Sequence, residues 1–490
     1  MVEEVIMKKN GLFKAILIVF GSLMLVSAIL AVLGYFVPAM EGMFTMIPVG
    51  DAFLSFVQSF YYFFDTVFYL LVLGAFYGVL NVVPAYKKLL DNIATKVKAN
   101  GKLFVIITTV IFAILAFVTG QIGVLLIFVP LVASIILLLG YDKLVAISST
   151  VLAMLIGTMS GLFVTFRDPN NYYGYSATTF EGVAGADLYS NLWPKLILLV
   201  LGTTLLVFFI IRYIKSVQSK KIKYELNEGN EVIVSEVKGD YKNIKTWPII
   251  VILVFILVFL LLGYMPWNSL FKINCFEKFN EWITGLKIGE FAIFANVISS
   301  ISYAIGNWSS LGTYMSIIIT LLVFTLIIKF VYRIKFEEVL DGFTDGAKKM
   351  LPTVFLVSLT LAILVSAYNH GFVQNIITWF AETKVGINVG TVSLIGAIGT
   401  LLHTDLYYTV AGVLLPMMNS VTDESLYAVY AMAFQNVYGI VSIVSPTSLL
   451  VIFALKYFDV PYTTWIKYIW RFVLMLLLLA LLVLLVVALI

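Results

Sequence analysis

Residues 103–140 read LFVIITTVIFAILAFVTGQIGVLLIFVPLVASIILLLG, an apolar run interrupted near its middle by Val118-Thr119-Gly120-Gln121. Each half is short of the roughly 20 residues that carry a helix across a bilayer. A second run has the same form: Val392–Leu402, then His403-Thr404-Asp405, then apolar sequence to Met418. A helical hairpin that enters and leaves the membrane on one side fits both, because the helices satisfy their own backbone and only a short turn must be covered by protein or water. A pair of ordinary helices joined by a tight turn is the other reading.

The rest of the chain sets these runs in a membrane protein. Of 490 residues 61% are hydrophobic and 12% charged, with a mean hydropathy of +1.04. Soluble domains are about 45–50% apolar and about 25% charged. A water-soluble enzyme, a disordered chain and a disulfide-stapled secreted protein are therefore excluded. The net charge of +4 is no nucleic-acid signal, because the lysines cluster at the ends of apolar runs. Cys275 is the single cysteine, so no intrachain disulfide forms. No phosphate-binding Gly-Lys-Ser/Thr loop and no Cys/His cluster is present, which argues against an ATP-driven pump and a metal enzyme.

Further spans are expected at Phe13–Val37, Leu54–Leu80, Leu144–Phe166, Leu196–Tyr213, Trp247–Tyr264, Leu311–Val331, Pro352–Tyr368, Leu426–Val444 and Ile466–Ile490. The first lacks a small-residue cleavage site and reads as a retained helix. Basic clusters (Lys8, Lys9 and Lys14; Lys87 to Lys102; Arg212 to Lys223; Arg333 to Lys349; Lys456, Lys467 and Arg471) all fall on one side, which the positive-inside rule makes cytoplasmic. The N-terminus is then inside and the C-terminus outside, provided both hairpins are re-entrant. The polar stretch Lys215–Thr246 is a cytoplasmic linker, and the chain is expected in the plasma membrane.

The two halves also share landmarks. Asn92-Ile93-Ala94-Thr95 and Asn375-Ile376-Ile377-Thr378 lie before the hairpins, 283 residues apart. The interruptions at Thr119 and His403 are 284 apart. After each hairpin a long helix is broken by proline among polar residues: Arg167-Asp168-Pro169-Asn170 and Ser445-Pro446-Thr447-Ser448. The first hairpin starts inside and the second outside, so the repeat is inverted. Inverted repeats with broken helices build midplane substrate sites in secondary transporters, with unpaired N–H and C=O groups at half-helix ends.

Several elements resemble the C4-dicarboxylate anaerobic carrier family, specifically its YfcC-like branch. They are Gly140-Tyr141-Asp142, Glu181-Gly182-Val183-Ala184-Gly185, Ala433-Phe434-Gln435, Pro446-Thr447-Ser448 and Val460-Pro461-Tyr462 with Trp465-Ile466-Lys467. The resemblance implies the ion transporter superfamily: an all-α polytopic membrane protein with two re-entrant hairpins, two broken helices, elevator-type alternating access and a scaffold that often dimerises. It implies small-metabolite substrates such as dicarboxylates or amino acids. The chain departs from the family in three places. Gly123 and Val124 stand where an acidic pair is usual, Leu402-His403-Thr404-Asp405 replaces a Ser/Gly-rich second tip, and Asp168-Pro169 replaces Asn-Pro. These changes leave substrate identity and cation coupling open.

The expected division is 1–102 scaffold helices and amphipathic arm; 103–195 first transport half; 196–213 a closing helix; 214–246 the linker; 247–387 connecting and scaffold helices with a second arm; 388–465 second transport half; and 466–490 a terminal helix. Arg167 beside a helix break could hold a substrate carboxylate bidentately, or pair with Asp168 at the outer interface. His403 and Asp405 could bind substrate or relay a proton, or face water without a ligand. Thr119, Gly120, Gln121, Asn170, Thr404, Gln435, Ser445, Thr447 and Ser448 complete the candidate substrate site, as ligands or as caps of broken helix ends. Asp65 and the aromatic stretch Tyr61-Tyr62-Phe63-Phe64 read as structural or lipid-facing. The leading function is a secondary transporter or exchanger of a small carboxylate or amino acid, of dicarboxylate or basic amino acid type. No resident cofactor is expected, and Na⁺ or H⁺ coupling is open. The partners are the substrate, the bilayer and a second copy in a homodimer. A transport-inactive scaffold, and more weakly an intramembrane enzyme using His403 and Asp405, are the competing classes.

Overall fold

The computed structural model describes residues 11–167, 175–219, 244–312, 314–403 and 405–489. Among them nine helices are long and apolar enough to cross a membrane, and the only strands form two short antiparallel hairpins. The chain is an all-α polytopic membrane protein.

In chain order, α1 (Gly11–Leu33) precedes α2 (Val49–Tyr62) and α3 (Phe64–Val82), one rod bent at Phe63. The arm α4 (Pro84–Val97) leads to α5 (Gly101–Thr119), α6 (Ile122–Leu138) and α7 (Lys143–Met159). Strands β1 (Val164–Arg167) and β2 (Tyr175–Thr178) and the short α8 (Phe180–Ala184) separate α7 from α9 (Leu192–Gln218). Next come α10 (Trp247–Tyr264), an exposed excursion of α11 (Trp267–Phe271), α12 (Cys275–Gly285), β3 (Lys287–Ile288) and β4 (Phe291–Ala292), and α13 (Met315–Tyr332). The last part runs α14 (Phe336–Asn369), α15 (Phe372–Glu382), α16 (Val389–Leu402), α17 (Leu406–Thr409), α18 (Leu415–Asn419), α19 (Tyr427–Val444), α20 (Leu449–Tyr457) and α21 (Tyr462–Leu489).

Burial sorts these helices. The apolar window of α14 is 83% buried, whereas those of α1 and α21 are 22% buried, so α14 is central and the terminal helices lie on the outside. Helix α14 crosses α3 antiparallel at two glycine pairs, Gly74 against Gly346 and Gly78 against Gly342. At each, a Cβ would collide with the opposite backbone, the close approach that small residues four apart permit in membrane helices. The α2–α3 rod from Val49 to Val82 has the same length as α14, and each is followed by an amphipathic arm and a hairpin.

The first broken helix differs from the expectation. Helix α7 stops at Met159 rather than running to Phe166, and its interruption is Ser160–Phe163, not Arg167–Asn170. Residues Val164–Arg167 are instead a strand paired with Tyr175–Thr178. The cause is local and tertiary together. Val164 and Thr165 are β-branched and prefer extended backbone. The Leu162 N–H donates to Phe117 O at 2.8 Å, drawing the chain out of the helix and onto the end of α5. The corrected interruption restores a constant spacing, since the terminal caps Ser160 of α7 and Ser445 of α19 are 285 residues apart, close to the 284 between the hairpin turns. The second helix is interrupted at Ser445–Ser448, between α19 and α20. Helix α14 starts well before Pro352 and carries that proline inside it. The linker residues 220–243 lie outside the described residues.

Candidate functional site

The first hairpin turns at Gly120, which adopts the left-handed conformation (φ 62°) that ends α5. A side chain there would press on Phe163 O, so glycine is required both by backbone and by space. Thr119 Oγ1 donates to Leu115 O at 2.6 Å and accepts from Gln121 N at 3.2 Å, fixing the turn. Gln121 reaches sideways, Nε2 to Thr165 Oγ1 at 3.4 Å, and ties the turn to β1. The second turn passes through His403 and Asp405. Asp405 is the N-cap of α17, accepting from Tyr408 N at 3.2 Å.

Each turn is tethered to the neighbouring helix interruption. In the first, Leu162 N donates to Phe117 O. In the second, Thr447 Oγ1 donates to Leu401 O at 2.8 Å, while Ser445 Oγ and Thr447 Oγ1 are 2.6 Å apart. Gln435 on α19 then links the two halves: its Nε2 donates to Thr158 O at 3.0 Å and Gly161 O at 2.8 Å. It supplies donors to two carbonyls at the broken end of α7, of which Gly161 O has no other backbone donor among the described residues.

All four elements surround one cavity of about 70 Å³. That is room for about five waters or one small solute. Gly120 and Gly123 come from the first turn, Asp405 and Tyr407 from the second, Thr158 from α7, and Ser442 and Ser448 from α19 and the second interruption. One wall is aromatic. The rings of Tyr69 and Tyr314 stack at 4.7 Å, Tyr407 meets Tyr314 edge-on, and Tyr69 Oη donates to Gly123 O at 2.7 Å.

Two helices open on this cavity with their N-termini. Helix α6 starts after Gln121 and α20 after Ser448, and neither cap side chain bonds the helix. The N–H groups of Gly123, Val124, Leu449 and Leu450 have no acceptor among the described residues. Ile122, Gly123, Leu449 and Leu450 all line the cavity. The macrodipole of each helix adds roughly half a positive charge there.

Of the residues singled out in the sequence, Gly120, Asp405 and Ser448 line the cavity. Thr119, Gln121, Ser445, Thr447 and the amide nitrogen of Gln435 bond the backbone and neighbouring side chains that shape it, while Gln435 Oε1 is buried with no partner among the described residues. His403 is 2% exposed and stands behind the turn rather than in the cavity; neither ring nitrogen has a partner among the described residues. The backbone of Arg167 ends β1 opposite Tyr175. Asp168, Asn170 and Thr404 lie outside the described residues. Sequence reasoning assigned the aromatics mostly to lipid and so missed Tyr69, Tyr314, Tyr407 and Tyr438. Asp65, read as structural, bonds Thr66 N at 2.8 Å, and Thr66 lines the cavity.

Residues 57–489 match the profile of the C4-dicarboxylate anaerobic carrier family. The chain belongs to this family. It is thus a multi-pass plasma-membrane carrier and not an enzyme. It is 21% identical over 430 residues to an uncharacterized protein of Haemophilus influenzae, covering 84% of this chain and 73% of that one. No solved structure matches the chain significantly.

Proposed function

We propose that the chain moves a small dicarboxylate across the membrane by alternating access, holding it in the cavity between the two hairpin turns. The observation that carries this reading is the pair of uncapped helix N-termini, α6 and α20, opening on one cavity. Two carboxylates placed against two positive helix ends match in number and sign. The aromatic wall supplies a close apolar contact for the carbon chain between them. An ionised Asp405 adds a negative charge beside a dianion, so the substrate then needs cationic company. Coupling to Na⁺ or H⁺ answers that need.

Two inverted halves account for the equal lengths of the α2–α3 rod and α14, their antiparallel glycine crossing, and the matching turn-to-interruption tethers. In an elevator movement, the turns and broken helices travel together against the α3–α14 scaffold, and the Tyr69–Gly123 bond breaks in each cycle. The basic clusters support a cytoplasmic N-terminus. A homodimer formed through the scaffold is part of the same proposal.

Asp405 also favours a second reading. A carboxylate with no cationic side chain beside it among the described residues is a seat for an ammonium group, which suits an amino acid of basic type with its own carboxylate on one helix end. Counterflow in proteoliposomes separates the readings. Vesicles preloaded with unlabelled succinate are to accumulate labelled succinate in exchange, and to leave labelled lysine and arginine outside. Exchange of the amino acids alone would replace the dicarboxylate reading. No saturable exchange of any of them would leave a transport-inactive scaffold.

A further inference from the structure

A second cavity, of about 620 Å³, shares no lining residue with the substrate site and differs from it in character. It is a groove between α9 and α21, the helices that follow the two broken-helix elements. The helices pack antiparallel through Phe209 against Tyr468 and Phe472, and Tyr213 against Tyr468, at ring separations of 4.9, 5.3 and 4.7 Å. This contact places Arg212, near the end of α9, across the groove from Lys467 and Arg471, near the start of α21. All three are exposed, and none forms an ion pair among the described residues. The neighbouring acid, Asp142, is bonded elsewhere. It accepts from Tyr213 Oη at 2.6 Å and from Val145 N at the start of α7.

Below the cations the groove becomes apolar, with Phe208 and Leu474 58% and 51% exposed. Trp470 sits at the junction, its ring under the Arg471 guanidinium at 5.1 Å. A tryptophan with arginine and lysine above and bare aliphatic surface below is the order of chemistries found at the headgroup level of a bilayer. The groove lies at the lysine-rich end of the molecule, the end that faces the anionic leaflet.

We infer that the α9–α21 groove binds an anionic phospholipid, the phosphate held by Arg212, Lys467 and Arg471 and an acyl chain laid along Phe208 and Leu474. Charge complementarity selects this occupant. A zwitterionic lipid offers the same chains without net charge, and free phosphate offers the charge without the chains. Because α9 and α21 each close one half of the fold, the bound lipid clips the two halves together at one membrane face.

The full chain, purified in neutral detergent, is to be titrated with phosphatidylglycerol or phosphatidylcholine of identical acyl chains and read by native mass spectrometry. Phosphatidylglycerol is expected to bind with a preference of roughly tenfold or more, given three cations. The R212Q/K467Q/R471Q variant is expected to lose that preference, while K348Q/K349Q, which removes exposed charge elsewhere, keeps it. A photoactivatable phosphatidylglycerol with a diazirine on its acyl chain is to label peptides of α9 and α21 in the wild type, a readout that does not depend on the triple variant folding. Equal binding of both lipids, an unchanged preference in the triple variant, or labelling confined to other helices overturns the proposal. So does protection against heating by inorganic phosphate as strong as that by the lipid.

Discussion

Replacing Gln435 by Met tests whether this buried amide holds the site together or reads the substrate. Gln435 is fully buried, and its nitrogen donates to two carbonyls at the interruption of α7. Thr158 O keeps another donor, the Gly161 N–H at 3.0 Å, whereas no other backbone donor among the described residues reaches Gly161 O. Methionine preserves the volume and removes both bonds. Leaving Gly161 O buried and unsatisfied costs about 1–3 kcal/mol, and losing one of two bonds to Thr158 O about 0.5–1.5 kcal/mol. The expected loss is therefore about 1.5–4.5 kcal/mol, visible as a drop of several degrees in the temperature at which the detergent-purified protein loses its monodisperse peak on size exclusion. Transport is expected to fall with it, because the interruption of α7 sets the position of Thr158 and, through Phe163, of Gly120. Gln435→Asn, with a shorter reach to the same carbonyls, should lie between. A Met variant that melts like the wild type but shows a raised KM would refute this reasoning and assign the amide to the substrate.

Three further substitutions probe separate parts of the structure. Gly123→Ala puts a methyl against the Tyr314 ring, whose Cε1 would lie 2.6 Å away, and the ring is already stacked on Tyr69. The expected cost is about 1–3 kcal/mol with a marked loss of uptake, and normal uptake would show that the first turn does not bound the transported solute. Asp405→Asn keeps the cap on α17 and removes the charge, so thermal stability should hold while dependence on an imposed Na⁺ or H⁺ gradient is lost and exchange persists. Retained gradient dependence would take Asp405 out of the coupling. Glu181→Leu strips the partner from Lys195, a fully enclosed pair at 2.7 Å, and should cost about 3–5 kcal/mol by heat denaturation, with Glu181→Leu/Lys195→Met recovering most of it. A single variant as stable as wild type would show the pair to be dispensable.

The helices were legible because a 20-residue apolar run in lipid has almost no other way to satisfy its backbone. Trp247–Tyr264 falls where the sequence places it, and both hairpin turns fall at the polar interruptions of their runs. The first helix break was not legible, because Pro169 and its charged neighbours are a strong local signal while the tertiary part of the true cause is remote. Gln435 lies 274 positions from Gly161, and no pattern within α7 announces that a distant amide will hold its end open. The cavity wall was missed for a similar reason. A tyrosine facing a cavity and one facing lipid look alike in a sequence that is 15% aromatic, and only the packing of α3 against the first turn distinguishes Tyr69. The helix N-termini that carry the functional proposal are backbone groups, and the uncapped Gln121 and Ser448 positions give them no side-chain signature.

The decisive measurement is counterflow of labelled succinate in proteoliposomes containing the purified full chain, with protein-free vesicles and the Gly123→Ala variant run in parallel. Saturable, time-dependent accumulation driven by internal unlabelled succinate, greatly reduced in the variant, is the expected result. Accumulation no greater than in protein-free vesicles, for succinate and other four-carbon dicarboxylates alike, would contradict a dicarboxylate carrier built on the two opposed helix ends.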